Sequence, residues 1–218
     1  MLMKNRVIIA LPKGRLYETA TELLGKSGIV IPPAPDGSRK LVFPDAEGRF
    51  EFVPLKPVDI PVYVESGTID AGIVGSDVLR ENEADVYEPV DLGIGRCRLV
   101  LAAPAGVRLS ASGSLRVATK YPRTTERFFR NKQLHVHIVK LDGSVEIAPL
   151  LGLAEAIVDL VETGRTLREN GMNVVEDVAS VSAKLIINRT SMKMKSADVR
   201  HLITQLDTVV YENPGQQN

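Results

Sequence analysis

Apolar and polar positions along the chain predict a succession of strands, loops and helices. Residues 7–11 form an unbroken apolar run, read as a strand, and Pro12-Lys13-Gly14-Arg15 is the loop after it. Leu16, Ala20, Leu23 and Leu24 then recur at i, i+4, i+7 and i+8, an amphipathic helix ending near Gly28. Residues 31–36 are a proline-rich connection, and 41–43 with 50–55 suggest a hairpin around Asp45-Ala-Glu-Gly48. Asp59 is expected to cap a short helix with Pro61 in its first turn and Gly67 at its end. Residues 69–75 make a strand flanked by glycines, and Ser76-Asp77 opens another helix. Further strands are expected at 96–103, 115–119, 156–161, 173–179 and 184–188, with His135 and His137 on one side of another. Helices are expected at 123–132, around Glu146, at 166–170 and over 196–211, the last with Val199, Leu202, Ile203 and Leu206 on one face. Residues 191–195 read as a solvated charged turn and 213–218 as a loose tail. Gly93 and Gly95 make a plausible hinge, placing a first domain crossing there.

Composition narrows the classes of function. The 218 residues carry 27 Lys+Arg and 27 Asp+Glu, so no net field draws nucleic acid or an anionic membrane. The apolar run at the N-terminus is too short for a signal peptide, and no stretch approaches a membrane span, so a cytoplasmic setting is expected. Cys97 is the one cysteine, which excludes an internal disulfide and points to a core position. His135 and His137 have no third ligand in reach, and no protein metal site is expected.

The chemistry concentrates in residues 146–171. Ala156 to Val161 is an apolar run broken by Asp159, followed by Thr163-Gly164-Arg165-Thr166 and a helix that Gly171 stops. A strand, a hydroxyl-rich turn with glycine and a helix make a phosphate cradle. Gly164 admits positive φ, the N–H groups of Arg165, Thr166 and Leu167 face the anion, and Thr163 and Thr166 add hydroxyls. Asp159 and Glu162 stand where acceptors would meet ribose hydroxyls, so the segment suits a 5-phosphoribosyl group. The plain alternative is an ordinary strand-to-helix turn capped by Thr163. Lys13 and Arg15, at the C-terminal end of the first strand, suit a polyphosphate or are simply solvated. Small residues around Gly72 and Gly75 admit a flat purine or close helix packing. Lys120, Tyr121, Thr124 and Thr125 mark a further strand-to-helix junction.

Four blocks carry a family resemblance: Leu11-Pro-Lys-Gly-Arg-Leu16; Asp59-Ile-Pro-Val-Tyr-Val-Glu65 with Gly67, Asp70, Gly72 and Gly75-Ser-Asp77; Ala118-Thr-Lys-Tyr-Pro122; and residues 146–170. On these the chain resembles the ATP phosphoribosyltransferase family, the first enzyme of histidine biosynthesis, over nearly its whole length. The resemblance implies an α/β fold of two lobes, like a type II periplasmic binding protein, joined by a two-strand hinge with substrates in the cleft. The lobes would be residues 1–93 with 183–218, and 94–182. It implies the short form, which lacks a C-terminal regulatory domain. Such chains pair as catalytic dimers and work in a hetero-octamer with a regulatory subunit related to histidyl-tRNA synthetase. The implied reaction joins N1 of ATP to C1 of 5-phosphoribosyl 1-pyrophosphate (PRPP) and expels pyrophosphate, with Mg²⁺ riding mainly on the pyrophosphate. Lys13, Arg15, Glu146 and Asp159 would be catalytic. Asp159, Glu162, Thr163, Gly164, Arg165, Thr166 and Leu167 would bind PRPP. Lys13, Gly14, Arg15, Gly75, Asp77, Lys120 and Tyr121 would bind ATP. The rivals are a nucleobase phosphoribosyltransferase, which shares the Thr-Gly-x-Thr-Leu turn, and a two-lobed binding protein without catalysis. Two acids usually adjoin in the former's loop, whereas Asp159 and Glu162 stand apart here.

Overall fold

Strand β1 (Val7–Pro12) is buried on both faces: Val7, Ile9 and Leu11 join one apolar cluster, Ile8 and Ala10 another. A strand covered on both sides leaves no polar alternation in the sequence, only a run. The structure, a computed structural model, describes residues 6–31, 41–107 and 115–212. Of the expected connection at 31–36 only Ile31 is among them, and the expected tail at 213–218 lies outside.

The chain continues through α1 (Arg15–Lys26), β2 (Phe43–Pro44), β3 (Phe50–Leu55), a 3₁₀ turn (Pro57–Asp59), α2 (Ile60–Glu65), β4 (Ala71–Gly75), α3 (Ser76–Asn82) and β5 (Tyr87–Asp91). It then forms β6 (Cys97–Pro104), β7 (Leu115–Thr119), α4 (Pro122–Asn131), β8 (Val136–Lys140), α5 (Ile147–Leu150), β9 (Ala156–Val161), α6 (Arg165–Glu169) and β10 (Met172–Val181). It ends with β11 (Ala183–Ile187), α7 (Ser191–Met194) and α8 (Ser196–Glu212). The fold is α/β, in two compact units: Met1–Gly95 with Ser182–Asn218, and Arg96–Val181.

The first unit holds a six-stranded sheet in the order β2-β3-β1-β4-β11-β5. Strands β3, β1 and β4 run parallel, so their C-terminal ends share one edge; β11 is antiparallel to β4 and β5. Helices α1 and α8 supply Ala20, Leu24, Val199, Leu202 and Leu206 to one face, and α2 and α3 supply Ile60, Val64, Val78 and Leu79 to the other. The second unit holds a five-stranded sheet in the order β10-β6-β9-β7-β8. Strands β9, β7 and β8 are parallel and again end together, while β6 and β10 are antiparallel.

Several expectations are corrected. Strand β5, with Pro89 inside it, was not expected; it lies at the sheet edge, where a missing N–H costs no ladder bond. Asp59 makes no side-chain cap, because it already has helical backbone within the 3₁₀ turn that runs into α2. Glu146 sits in the turn just before α5 and not within a helix. Cys97 is half-buried. Residues 191–194 form α7, and Lys195 is no solvated charge: its Nζ donates to Asp70 Oδ2 at 2.8 Å and to Arg6 O at 2.6 Å.

Candidate active site

In the first unit the parallel strands deliver three segments to one edge. Strand β1 delivers Lys13, Gly14 and Arg15, all exposed. Lys13 N–H donates to Leu55 O at 2.8 Å, which holds this loop against the end of β3. Gly14 precedes α1 with φ +93°, a conformation L side chains rarely adopt, so glycine is required by the turn itself. The turn leaves the two cations either side of Gly14 at the N-terminus of a 12-residue helix, whose dipole favours an anion. Strand β3 delivers Lys56, exposed beside Lys13, which the sequence reading missed. Only the parallel register of β1 and β3 marks it.

Strand β4 delivers Gly75, Ser76 and Asp77. A Cβ on Gly75 would collide with Asp77 Oδ1, so the absent side chain makes room for that buried carboxylate. A Cβ on Gly72 would lie 2.6 Å from Ile60 Cγ2; here the small residue serves helix packing against the strand. Ser76 N–H donates to Ser182 O at 2.9 Å, fixing the loop to the residue that precedes β11.

In the second unit β7, β8 and β9 deliver Lys120 with Tyr121, the segment leading to Glu146, and the Asp159–Leu167 turn. Along β9, Ile157 and Val161 belong to the same apolar cluster as Val145, Ala148 and Leu167. Strand alternation therefore puts Asp159 on the face that carries α5 and α6. Burial pushes the Asp159 carboxyl above the ordinary carboxylate range; Leu160 N–H, donating at 2.8 Å, opposes this, the Glu146 charge adds to it, and Lys120 opposes it. Glu146, Asp159 and Lys120 thus form one electrostatic group, drawn from three strand ends.

The turn beyond β9 has Gly164 at φ +72°, at the N-cap position of α6. Arg168 N–H donates to Gly164 O at 3.1 Å and Arg168 Nη1 to Thr163 O at 2.9 Å, so the turn is tied from both sides. Thr163 does not cap α6 in the usual way; its Oγ1 accepts a long 3.4 Å bond from Arg165 N–H. Among the described residues no acceptor takes the N–H groups of Thr166 or Leu167. The Arg165 guanidinium pairs with Glu169 at 2.7 Å, so the backbone of Arg165 faces the turn while its charge is spent along the helix. Leu167 is buried and anchors α6 to the sheet. Glu162 and Thr163 are exposed. Among the described residues no three His, Cys, Asp or Glu side chains converge to hold a metal ion, and no helix is long and apolar enough to cross a membrane.

Ionising Asp159 in this setting costs stability, and the sign is testable. A carboxyl whose pKa is raised on folding favours the native state below the unfolded value, and that stability is lost as pH rises through the folded one. Asp159→Asn keeps an acceptor for Leu160 N–H. It is expected to raise Tm at neutral pH, with the gain shrinking towards pH 4, in thermal melts run across that range. An equal or lower Tm at neutral pH would contradict the burial argument.

Comparison with known proteins identifies the family. The family described as HisG, ATP phosphoribosyltransferase, matches residues 56–208. The chain is 48% identical over 204 residues to the ATP phosphoribosyltransferase of Caldanaerobacter subterraneus subsp. tengcongensis, covering 94% of this chain and 97% of that protein. It is 45% identical over 217 residues to that of Syntrophotalea carbinolica, covering 98% and 99%. Among solved structures it matches the ATP phosphoribosyl transferase HisG:HisZ complex from Thermotoga maritima with TM-score 0.82 and 32% identity, over 94% of this chain and 99% of that one. The Escherichia coli periplasmic aliphatic sulphonate binding protein SsuA, 14% identical with TM-score 0.60 over 99% of this chain and 71% of its own, shares the fold alone, that of the type II periplasmic binding proteins. With its two α/β units, strand-end clusters and near full-length similarity, the chain belongs to the ATP phosphoribosyltransferase family of enzymes.

Proposed function

We propose that this enzyme transfers the 5-phosphoribosyl group of PRPP to N1 of ATP, giving 1-(5-phosphoribosyl)-ATP and pyrophosphate, the first step of histidine biosynthesis. The observation that carries the reading is the second unit's strand-end group. A glycine turn at φ +72°, at the start of α6, follows within five residues a desolvated carboxylate that answers to Glu146 and Lys120. The turn suits a phosphate, and the acids suit the ribose hydroxyls of the same molecule.

In this reading Gly164, Arg165, Thr166 and Leu167 bind the 5-phosphate through N–H groups, with the hydroxyls of Thr163 and Thr166 beside them. Asp159, Glu162 and Glu146 accept from the ribose hydroxyls. Lys120 balances the acids at this end, and Tyr121 supports its loop. Lys13 and Arg15, with Lys56 and the N-terminus of α1, neutralise pyrophosphate or ATP phosphates, while Gly14, Gly75 and Asp77 face the nucleotide. Breaking the C1–O bond with inversion leaves cationic character on the ribose, which nearby carboxylates stabilise. The ring nitrogen needs no strong base, so rate comes from positioning and from neutralising the leaving group.

Magnesium fits this donor chemistry without a protein cage. It prefers phosphates and water, and a cation nearby would relieve the charge of Glu146 acting on the Asp159 carboxyl. When bound it would neutralise the pyrophosphate; Asp159 and Glu146 would hold its water shell. The Thermotoga maritima relative is a HisG:HisZ complex, which supports a HisZ-like regulatory subunit as partner, in a hetero-octamer built on catalytic dimers. Its site of work would be the cytoplasm.

Calorimetric titration of PRPP with Mg²⁺ into the full chain, and into Gly164→Val, tests the cradle. A β-branched side chain at φ +72° is strained, and its Cβ would also meet Arg168 Nη1 at 3.1 Å. We expect at least roughly 10-fold weaker PRPP binding, since a strained turn and misaligned donors cost on the order of 1–3 kcal/mol. Unchanged affinity in the folded variant places the phosphate elsewhere. Formation of the ATP adduct only when ATP, PRPP and Mg²⁺ are all present separates this reading from a purine-base transferase and from a non-catalytic binder.

A further inference from the structure

Thr119 is the last residue of β7 and is wholly buried, yet it is polar and nothing in the reaction calls on it. Its hydroxyl donates to Val158 O of β9 at 2.7 Å. It accepts from Tyr121 N–H at 2.9 Å and, more weakly, from the Thr125 hydroxyl at 3.4 Å. One donor and two acceptor positions are thereby all occupied. The Thr119 carbonyl accepts Leu141 N–H at 3.0 Å. Thr119 and Val158 are also the last register pair between β7 and β9.

Two of these bonds end next to a member of the candidate site, and a third holds the start of a segment that reaches one. Val158 precedes Asp159, Tyr121 follows Lys120, and Leu141 opens the segment that leads to Glu146. The strands part at this point, so the ladder itself no longer sets the spacing beyond it. From this geometry we infer that Thr119 is a positioning residue: its buried hydroxyl holds the Lys120 loop in register with Asp159, as its carbonyl holds the segment bearing Glu146. The inference rests on the proposed PRPP site. A small shift in such a group is costly, because misplacement of about 1 Å loses up to ~10² in rate.

The test compares Thr119→Val, which keeps the shape and removes the hydroxyl, with Thr119→Ser, which keeps the hydroxyl. Magnesium–PRPP is titrated into each full-length variant after circular dichroism has established folding. We expect the valine variant to bind PRPP roughly 10-fold more weakly, the scale of a buried group left unpaired, and the serine variant to stay within about threefold of wild type. The loss should also fail to add to that of Lys120→Met, because both act through Lys120. Should Thr119→Val not fold, Thr119→Cys, of similar volume with a weak donor, takes its place. A lowered Tm with PRPP affinity within twofold, or losses that add fully with Lys120→Met, would make Thr119 a plain structural residue and overturn the inference. Absence of PRPP binding by the wild-type chain would instead overturn the proposed site, whatever the variants do.

Discussion

Replacing Lys13 or Arg15 with alanine is expected to lower kcat by about 10²–10³, the usual effect of removing one group that stabilises charge in the transition state. The scale follows from where these residues stand. They flank Gly14, whose φ of +93° bends the chain so that β1 ends and α1 begins within three residues. Both side chains are exposed, so truncating them leaves the core of the first unit intact and a loss of activity cannot be read as unfolding. In the proposed reaction the charge that develops when pyrophosphate leaves is large and local, which is where preorganised cations and a helix N-terminus act most strongly. Steady-state rates with ATP, PRPP and Mg²⁺, with the proposed partner subunit added, make the measurement. Because Lys56 lies beside Lys13, each single variant retains part of the field, and the Lys13→Ala, Lys56→Ala pair should lose more than either alone. Rates near wild type in both Lys13→Ala and Arg15→Ala would remove these residues from the chemistry.

What the sequence disclosed, and what it withheld, divides along chain separation. Buried strand β1 is a continuous apolar run, and β6 and β9 are runs broken by one charged residue each, Arg98 and Asp159, all visible without any partner. The Thr163-Gly164-Arg165-Thr166 turn is equally local, since the positive φ at Gly164 is a property of four adjacent residues. Strand β5 was hidden because its Glu88, Pro89 and Asp91 carry no apolar signal; only its place at the sheet edge permits them. Lys56 was hidden because a lysine after a strand means nothing until β3 is known to run parallel to β1. The grouping of Lys120, Glu146 and Asp159 likewise arises from the parallel order of β8, β7 and β9, which no spacing along the chain encodes. The family resemblance named these residues, but not the Thr119 hydroxyl that ties their segments together.

The second large effect concerns the fold. Asp70→Ala is expected to destabilise the chain by about 3–5 kcal/mol, the cost of leaving the Ile8 N–H, the Ser191 hydroxyl and the Lys195 ammonium without their shared acceptor. Asp70 is almost wholly enclosed, and its two oxygens accept from Ile8 N–H at 2.8 Å, Ser191 Oγ at 2.6 Å and Lys195 Nζ at 2.8 Å. One side chain thus joins β1, the approach to β4, and α7. The Asn188 side chain closes the same region: its amide donates to Val64 O at 2.8 Å and its carbonyl accepts from Thr190 and Ser191 N–H. The loss would be large against a total stability of about 5–15 kcal/mol. Urea unfolding of Asp70→Ala, Lys195→Met and the double variant separates the causes. If the enclosed charge dominates, Lys195→Met will be costly as well, because it strands the Asp70 carboxylate, and the double variant will lose less than the sum. A loss below about 1 kcal/mol for Asp70→Ala would put the pair in the class of screened surface contacts, contrary to its burial. Since Asp70 stands immediately before the strand that delivers Gly75 and Asp77, the folded fraction of a destabilised variant should keep normal ATP affinity. A kinetic defect there would show that the knot also sets the position of that loop.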